Sequence, residues 1–400
     1  MTRGAFRSFT SVNYRIWACG TLVSNIGTWM QRVSQDWLVL TQLTHNNAIA
    51  VGITMALQYG PHVLLLPWTG FAADHFNLRK LLFVTQATSG ALAFAVGVLT
   101  ITHLVQLWHV YVFAFLLGCV TAFDAPARQT FVAELVREED LANAVGLNST
   151  SFNVARMVGP ALAGGLIVAV GSGGVFLING VSFVAVLVSL LFLRVGALQI
   201  VPRAARAPGS LGEGFRYVAR RADLRATLLM LLLIGTFGLN FPIFISTMVV
   251  HVFHANAGKY GLLTSILAIG TVAGALLAAG RNNPSMRTLL TGALLFGGGC
   301  AMAAVSPDVR IFAVALVIIG VAALTFVNST TSLLQIATAP EMRGRVMAIR
   351  LAITVGGTPV GAPIVGWVAD HYGPRWALGI GAASGLAAAG IAVHHLSKSR

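Results

Sequence analysis

The sequence predicts an all-α membrane protein with twelve transmembrane helices in two pseudo-symmetric six-helix bundles. Three observations predict it. Of 400 residues, 56% are hydrophobic and only 10% are charged, whereas soluble domains carry about 25% charged residues. The apolar residues fall into twelve runs, each near the ~20 residues that cross a hydrocarbon layer. The second half also repeats the first at a constant offset of 202 residues. Backbone groups in lipid must bond within their own element, so runs this long are helices.

The expected spans are 14–41, 48–73, 79–102, 108–128, 141–170, 174–195, 224–252, 259–281, 287–306, 309–337, 345–370 and 375–396. Arg3, Arg7 and Arg15 precede span 1. No small-residue cleavage site follows, and the run is too long for a signal core, so span 1 is read as retained. Spans 2 and 3 flank a short charged segment, Gly70 to Lys80. Gly171-Ser172-Gly173-Gly174 is a tight external turn between spans 5 and 6. The one long connection, 196–223, is rich in Arg, Ala and Pro and then reads Gly212-Glu213-Gly214-Phe215-Arg216-Tyr217-Val218. It is read as a cytoplasmic linker with a short interfacial helix, between bundles at 1–195 and 224–400. The offset superposes Gly118 on Gly320, Glu139 on Glu341, Gly159 on Gly361 and Gly164 on Gly366. Duplicated halves are a mark of secondary transporters, whose site lies between the halves near the bilayer midplane.

A net charge of +14 would suggest nucleic acid in a soluble protein. Here the cations sit in alternate loops. Arg79 and Lys80, Arg128 and Arg137, the run from Arg194 to Arg225, Arg281 and Arg287, and Arg343, Arg345 and Arg350 share one side with both termini. Lys259, Arg310 and Arg375 lie on the other. This is the positive-inside pattern, with both termini cytoplasmic; the expected partner is the lipid bilayer, not nucleic acid. Cys19, Cys119 and Cys300 lie inside apolar runs and read as packed thiols.

Four segments carry a family resemblance. They are Gly70-Phe71-Ala72-Ala73-Asp74-His75-Phe76-Asn77-Leu78-Arg79-Lys80, Ala125-Pro126-Ala127-Arg128-Gln129 after span 4, the span 5 stretch from Asn153 to Gly164 with Gly159-Pro160, and Glu341-Met342-Arg343-Gly344-Arg345-Val346 before span 11. Over nearly its whole length the chain resembles the major facilitator superfamily, and most of all the branch of enterobactin exporters and macrolide efflux pumps. The resemblance implies that Asp74 sits at the cytoplasmic face, near Arg128 and the start of span 11. A carboxylate there suits a helix N-terminus. Gly70, Asp74, Arg79, Lys80, Asp124, Arg128, Glu134, Glu341, Arg343 and Arg345 then form a cytoplasmic gate; the alternative is a solvated topology signal. The chain departs from the family at His75, at Asn77, and at Gly164-Gly165, which falls one position later than in the antiporter motif. Asn tolerates a left-handed backbone, so Asn77 is expected to make the turn that Gly makes elsewhere.

The polar residues inside spans are the candidate substrate and proton cavity. Span 1 carries Ser24, Thr28, Gln31 and Gln35, with Asn25, Trp29, Arg32 and Asp36 one position round. A charge at the bilayer centre costs at least about 2.5 kcal/mol, so this stripe faces a cavity or a partner helix. Arg32 and Asp36 are either a packing ion pair or part of a substrate and proton site. Asp124 is either a fixed partner of Arg128 or a second proton carrier. Arg156 needs an anion, from substrate, Asp36 or Asp124. Gln58 and His62 on span 2, Asn240 on span 7, and Asn328 and Gln335 on span 10 complete the set. The span 5 residues Gly159, Pro160 and Gly164 are its packing motif.

No Walker-type phosphate loop, His-Glu-x-x-His or Cys-x-x-Cys occurs, which leaves no residues for ATP or a resident metal. No cofactor is expected beyond a proton gradient as energy source, and no enzymatic reaction. The expected function is proton-driven efflux of an amphipathic organic compound, a siderophore or drug, by a monomer in the inner membrane. The alternatives are uptake or lipid transport by the same fold, or a transport-inactive membrane sensor or scaffold.

Overall fold

Ser11 starts the first membrane helix. Its side chain accepts the Tyr14 amide at 3.3 Å, one of the four N–H groups that a helix start leaves without partners. Helix α1 (Val12–Trp37) continues into a wider turn at Leu38–Leu43. The computed structural model describes residues 4, 6–199, 211–280 and 284–398. Arg3, Arg281, Arg400 and residues 200–210 of the expected linker, with Arg203 and Arg206, therefore lie outside the described residues.

Span 2 is two helices, α2 (Ala48–Leu64) and α3 (Leu66–His75). Pro61 and Pro67 flank the break, and proline removes an amide that the ladder needs. Helices α4 (Leu78–Ile101) and α5 (Leu107–Leu135) follow. Helix α5 runs beyond the expected end of span 4, so Ala125–Gln129 and Glu134 are helical, not loop. Asn77 is also a correction. Its φ of −65° is ordinary, and its side chain caps α4 by accepting the Lys80 amide at 3.0 Å. Spans 5 and 6 run as one length, α6 (Leu141–Phe192), bent at Gly171, whose φ of 74° is the left-handed conformation that the turn requires.

A short helix, α7 (Leu211–Arg220), occupies the end of the expected linker. Val218 joins Leu224, Leu228, Leu334, Val346 and Ile349 in a buried cluster beneath it. Span 7 is broken into α8 (Ala222–Leu233), a wide turn at Ile234–Gly238, α9 (Phe241–Thr247) and a second wide turn at Met248–Val252. Gly235, Gly238 and Pro242 account for the interruption. The remaining helices are α10 (Ala257–Ala279), α11 (Met286–Val305), α12 (Val309–Ala337), α13 (Pro340–Tyr372) and α14 (Pro374–Lys398). Helix α13 starts at Pro340, a residue suited to a first turn; Glu341 to Arg345 are thus its opening turns.

Nine helical stretches among the described residues are long and apolar enough to cross a membrane. One of them contains both arms of α6, and the more polar α1 and α2–α3 supply the remainder, which is consistent with twelve spans. Large apolar side chains such as Val181, Val184 and Leu191 are exposed, as a lipid-facing surface requires.

The helices form two compact units. Unit 1 is Met1–Leu43, Gly60–Ala205 and Ala257–Ser265; unit 2 is Thr44–Tyr59, Arg206–Asn256 and Ile266–Arg400. The sequence halves are thus exchanged at two places. The first turns of α10 pack in unit 1, and most of α2 packs in unit 2. Repeated glycines set both contacts. A Cβ at Gly164 would lie 2.8 Å from the Ala257 carbonyl oxygen, and one at Gly366 would lie 2.5 Å from that of Ala48. The core of unit 1 gathers Tyr14, Trp17, Leu82, Phe131 and Leu190, with Trp17 and Phe131 edge to face at 5.2 Å.

Candidate functional site

The polar stripe of α1 divides between two tasks. Gln31 is buried and accepts a hydrogen bond from Asn179 of α6, and Ser34 Oγ donates to the Ser172 carbonyl at 3.2 Å. Gln31 therefore serves helix packing. Gln35 is buried as well. The neighbouring positions Trp29, Arg32 and Asp36 make a different cluster.

Two guanidinium groups approach Trp29. Arg32 stands 4.7 Å from its ring centroid and Arg156 of α6 stands 5.6 Å away. Phe152 meets the same ring edge-on at 5.7 Å. An indole face attracts cations, more strongly where water is excluded. The approach depends on Gly159, where a Cβ would fall 2.6 Å from that of Trp29. The span 5 motif thus lets α6 press against α1 at this ring. One turn of α1 beyond Arg32, and two beyond Trp29, Asp36 is 7% exposed. Tyr260 of α10 donates its hydroxyl to Asp36 Oδ2 at 3.0 Å. Trp37 stacks on Tyr260 at 6.0 Å. All of these residues belong to unit 1. Tyr260 was missed from the sequence because one tyrosine at the head of an apolar span carries no local signal.

Asp124 forms a second, separate cluster. Thr85 Oγ1 and Gln86 Nε2 each donate to its Oδ1 at 2.7 Å, and Arg128 Nε donates to its Oδ2 at 3.1 Å. Arg128 also reaches Asn25 Oδ1 at 3.4 Å and the face of Trp17 at 5.7 Å. Asn25 therefore joins this ion pair. The pair is nearly out of solvent, with side chains 10% and 16% exposed. Removing one partner of such a pair costs about 3–5 kcal/mol. Asp124→Ala is expected to lower the melting temperature of the purified protein by several degrees. A melting temperature equal to that of the parent would refute this structural role.

Arg156 approaches the Trp29 ring. His62 Nε2 lies 3.4 Å from Thr121 Oγ1. Gln58 is buried, and Asn240 is wholly buried at the break in span 7, donating to the Thr236 carbonyl at 2.8 Å. Asn328 is half-buried and Gln335 is exposed on α12.

Arg79 Nε donates to the Leu190 carbonyl at 2.8 Å, while Lys80, Glu341 and Arg343 are exposed. Gly70 is buried, Glu134 is half-buried, and the side chain of Asp74 lies outside the described residues. Arg345 pairs with Glu213 of α7 at 3.1 Å, a partner within unit 2 that the expected gate did not include. A groove of about 710 Å³ between α8 and α14 is lined by Arg225, Leu229, Ile391, His394, His395 and Lys398, and by none of the expected cavity residues.

Residues 4–399 match the model of a family described as transmembrane secretion effector. The chain is 27% identical to the staphyloferrin A transporter of Staphylococcus aureus (strain NCTC 8325 / PS 47) over 63% of each chain, so the match spans less than two thirds of that relative. It is 25% identical to the multidrug efflux pump Tap of Mycolicibacterium fortuitum over 88% of each chain. Among solved structures, a bacterial homologue of the lysosomal transporter Spinster, inward-facing and occupied, superposes with a TM-score of 0.72 at 14% identity, covering 98% of this chain and 97% of that one. A POT family transporter in complex with 5-aminolevulinic acid gives a TM-score of 0.75 at 12% identity, covering 96% and 95%. At these identities the likeness concerns the fold alone.

Proposed function

The chain belongs to the transmembrane secretion effector family of major facilitator transporters, and from that premise we propose that it exports an amphipathic organic compound in exchange for protons. The compound is a siderophore or a drug with an anionic group. The names of the staphyloferrin A and Tap relatives support that choice of chemistry. The transporter works as a monomer in a bacterial inner membrane, with both termini in the cytoplasm.

One observation carries this reading: a two-cation aromatic platform, Trp29 with Arg32 and Arg156, lies within two turns along α1 of a buried carboxyl group, Asp36. Trp29 offers an apolar face to a ring or chain, and Arg156 offers charge to an anion. Few polar groups beside apolar walls are what such a ligand needs. Arg32, one turn before Asp36 on α1, links the Trp29 ring to that carboxyl group. Asp36 is the proton carrier. When ionised, it accepts a charge-assisted bond from Tyr260, roughly twice the strength of a neutral one. Protonation weakens that hold on the start of α10. A proton thereby biases the conformation of a helix, which is the link that alternating access requires.

Everted membrane vesicles test the reading. On energisation, vesicles bearing the protein should accumulate a carboxylate siderophore or an anionic dye, and an uncoupler should abolish it. Accumulation that survives the uncoupler, or uptake into intact cells instead, would overturn proton-driven export.

A further inference from the structure

The segment that names the family occurs twice, at opposite ends of the chain. Gly70-Phe71-Ala72-Ala73-Asp74-His75-Phe76-Asn77-Leu78-Arg79 is echoed by Gly366-Trp367-Val368-Ala369-Asp370-His371-Tyr372-Gly373-Pro374-Arg375. Gly, Ala, Asp, His and Arg recur in register, and an aromatic follows both the Gly and the His. The offset differs from the 202-residue repeat, so the echo does not follow from duplication of the halves. On the orientation given by the loop charges, the first copy ends at the cytoplasmic face and the second at the external face.

The two copies share a local structure. His75 Nδ1 and the Phe71 carbonyl are 2.9 Å apart, and so are His371 Nδ1 and the Trp367 carbonyl. Each histidine ring lies against the aromatic one turn back, at 4.0 Å from Phe71 and at 4.7 Å from Trp367. Each final arginine serves the end of another helix. Arg79 donates to the Leu190 carbonyl near the end of α6. Arg375 donates to the carbonyls of Ala304 and Ser306 at the end of α11, at 3.0 and 3.1 Å.

In the second copy the carboxylate has a definite partner. The Ala48 amide donates to Asp370 Oδ1 at 2.7 Å, and the Ile49 amide donates to Oδ2 at 2.8 Å. Both belong to the first turn of α2, where Asn47 Oδ1 accepts the Ala50 amide at 3.0 Å. An anion suits this end of a helix through both its free amides and its dipole. Below the cap, the backbones of α2 and α13 touch. A Cβ at Gly52 would lie 2.5 Å from the Ala362 carbonyl oxygen. The duplicated crossing in unit 1, where α6 meets the start of α10, has Val168 where the offset would place the carboxylate. Only one of the two crossings is capped in this way.

We propose that Asp370 is an external latch of the transport cycle: its carboxylate holds the first turn of α2 against α13 while the outer side is shut, and lets go when that side opens. Asp370 touches no substrate in this assignment; it positions a helix. The proposal rests on the reading of the chain as an alternating-access transporter, and its test needs neither substrate nor proton gradient.

The test uses a cysteine at Met55, a buried residue of α2, in intact cells treated with a membrane-impermeant maleimide. Labelling is scored against the same chain without that cysteine. In the M55C background, Asp370→Ala is expected to raise the labelling rate by at least about fivefold, the low end for a coupling between two states. Asp370→Asn, which keeps the shape and one acceptor oxygen, is expected to raise it by a smaller factor. If Asp370→Ala does not fold, Asp370→Asn decides. Labelling at the rate of the M55C parent in the folded variants would overturn the latch. A failure of export in everted vesicles with labelling still raised would count against the transport reading and leave the latch standing.

Discussion

Asp36→Asn is expected to stop proton-driven export while leaving the protein folded. Asn keeps the size of the side chain and one acceptor for the Tyr260 hydroxyl, so α1 and the start of α10 stay together. What it removes is the carboxyl group of the cluster. Without a group that takes up and releases the proton, energised accumulation should fall to the level seen with no gradient. Exchange of substrate across the membrane with no gradient should persist, because it needs the conformational change but no net proton. Tyr260→Phe is the companion variant. It leaves the carboxyl group and removes the donor that reports its charge, so export should weaken while its dependence on the proton gradient becomes looser. Equilibrium exchange and energised accumulation, measured side by side in everted vesicles, separate these outcomes.

Arg156→Gln should act on binding instead. A hydrogen bond to a charged group contributes about 1.5–3 kcal/mol, and each 1.4 kcal/mol is about tenfold in affinity. Loss of Arg156 should therefore weaken an anionic substrate by about ten- to a hundredfold. A neutral compound of the same size should be affected much less. Trp29→Ala should weaken both kinds of ligand, since it removes the apolar face and the ring that both arginines approach. The double variant should cost less than the sum of the single changes, because the residues share one contact. Direct binding to purified protein, with an anionic compound and its neutral ester, checks these expectations. Equal losses for the two compounds would remove Arg156 from the anion site.

Much of the fold was legible in the residues, for a physical reason. Hydrocarbon demands long apolar runs and internal backbone bonding, so span positions follow from one-dimensional hydropathy. Departures arise where local chemistry breaks a run without making it polar. Pro61 and Pro67 divide span 2, and Gly235, Gly238 and Pro242 unwind span 7, yet all sit among apolar residues. The family motif drew attention to Asp74 and its loop and grouped Arg345 with them, whereas the structure sends Arg345 to Glu213 of α7. Charge type alone could not choose that partner.

The candidate site was legible by half. Spacing on span 1 separated Trp29, Arg32 and Asp36 from Gln31 by a single position, and that step of about 100° around a helix turns one residue to the platform and the other to Asn179. Whether Asp124 was mobile or fixed depended on Thr85 and Gln86, which lie on another helix. Tyr260 is 224 residues from Asp36, a distance at which no helical periodicity speaks. Asp370 looked like the end of a span, and its role emerges only from the amides of Ala48 and Ile49.

The central claim is that Asp36 couples protons to the movement of substrate. The most direct measurement reconstitutes the protein in liposomes with a trapped pH-sensitive dye and imposes an outward gradient of substrate. The wild type should move protons opposite to substrate, and Asp36→Asn should exchange substrate with no proton movement. Proton movement by Asp36→Asn at the wild-type ratio to substrate would contradict the account.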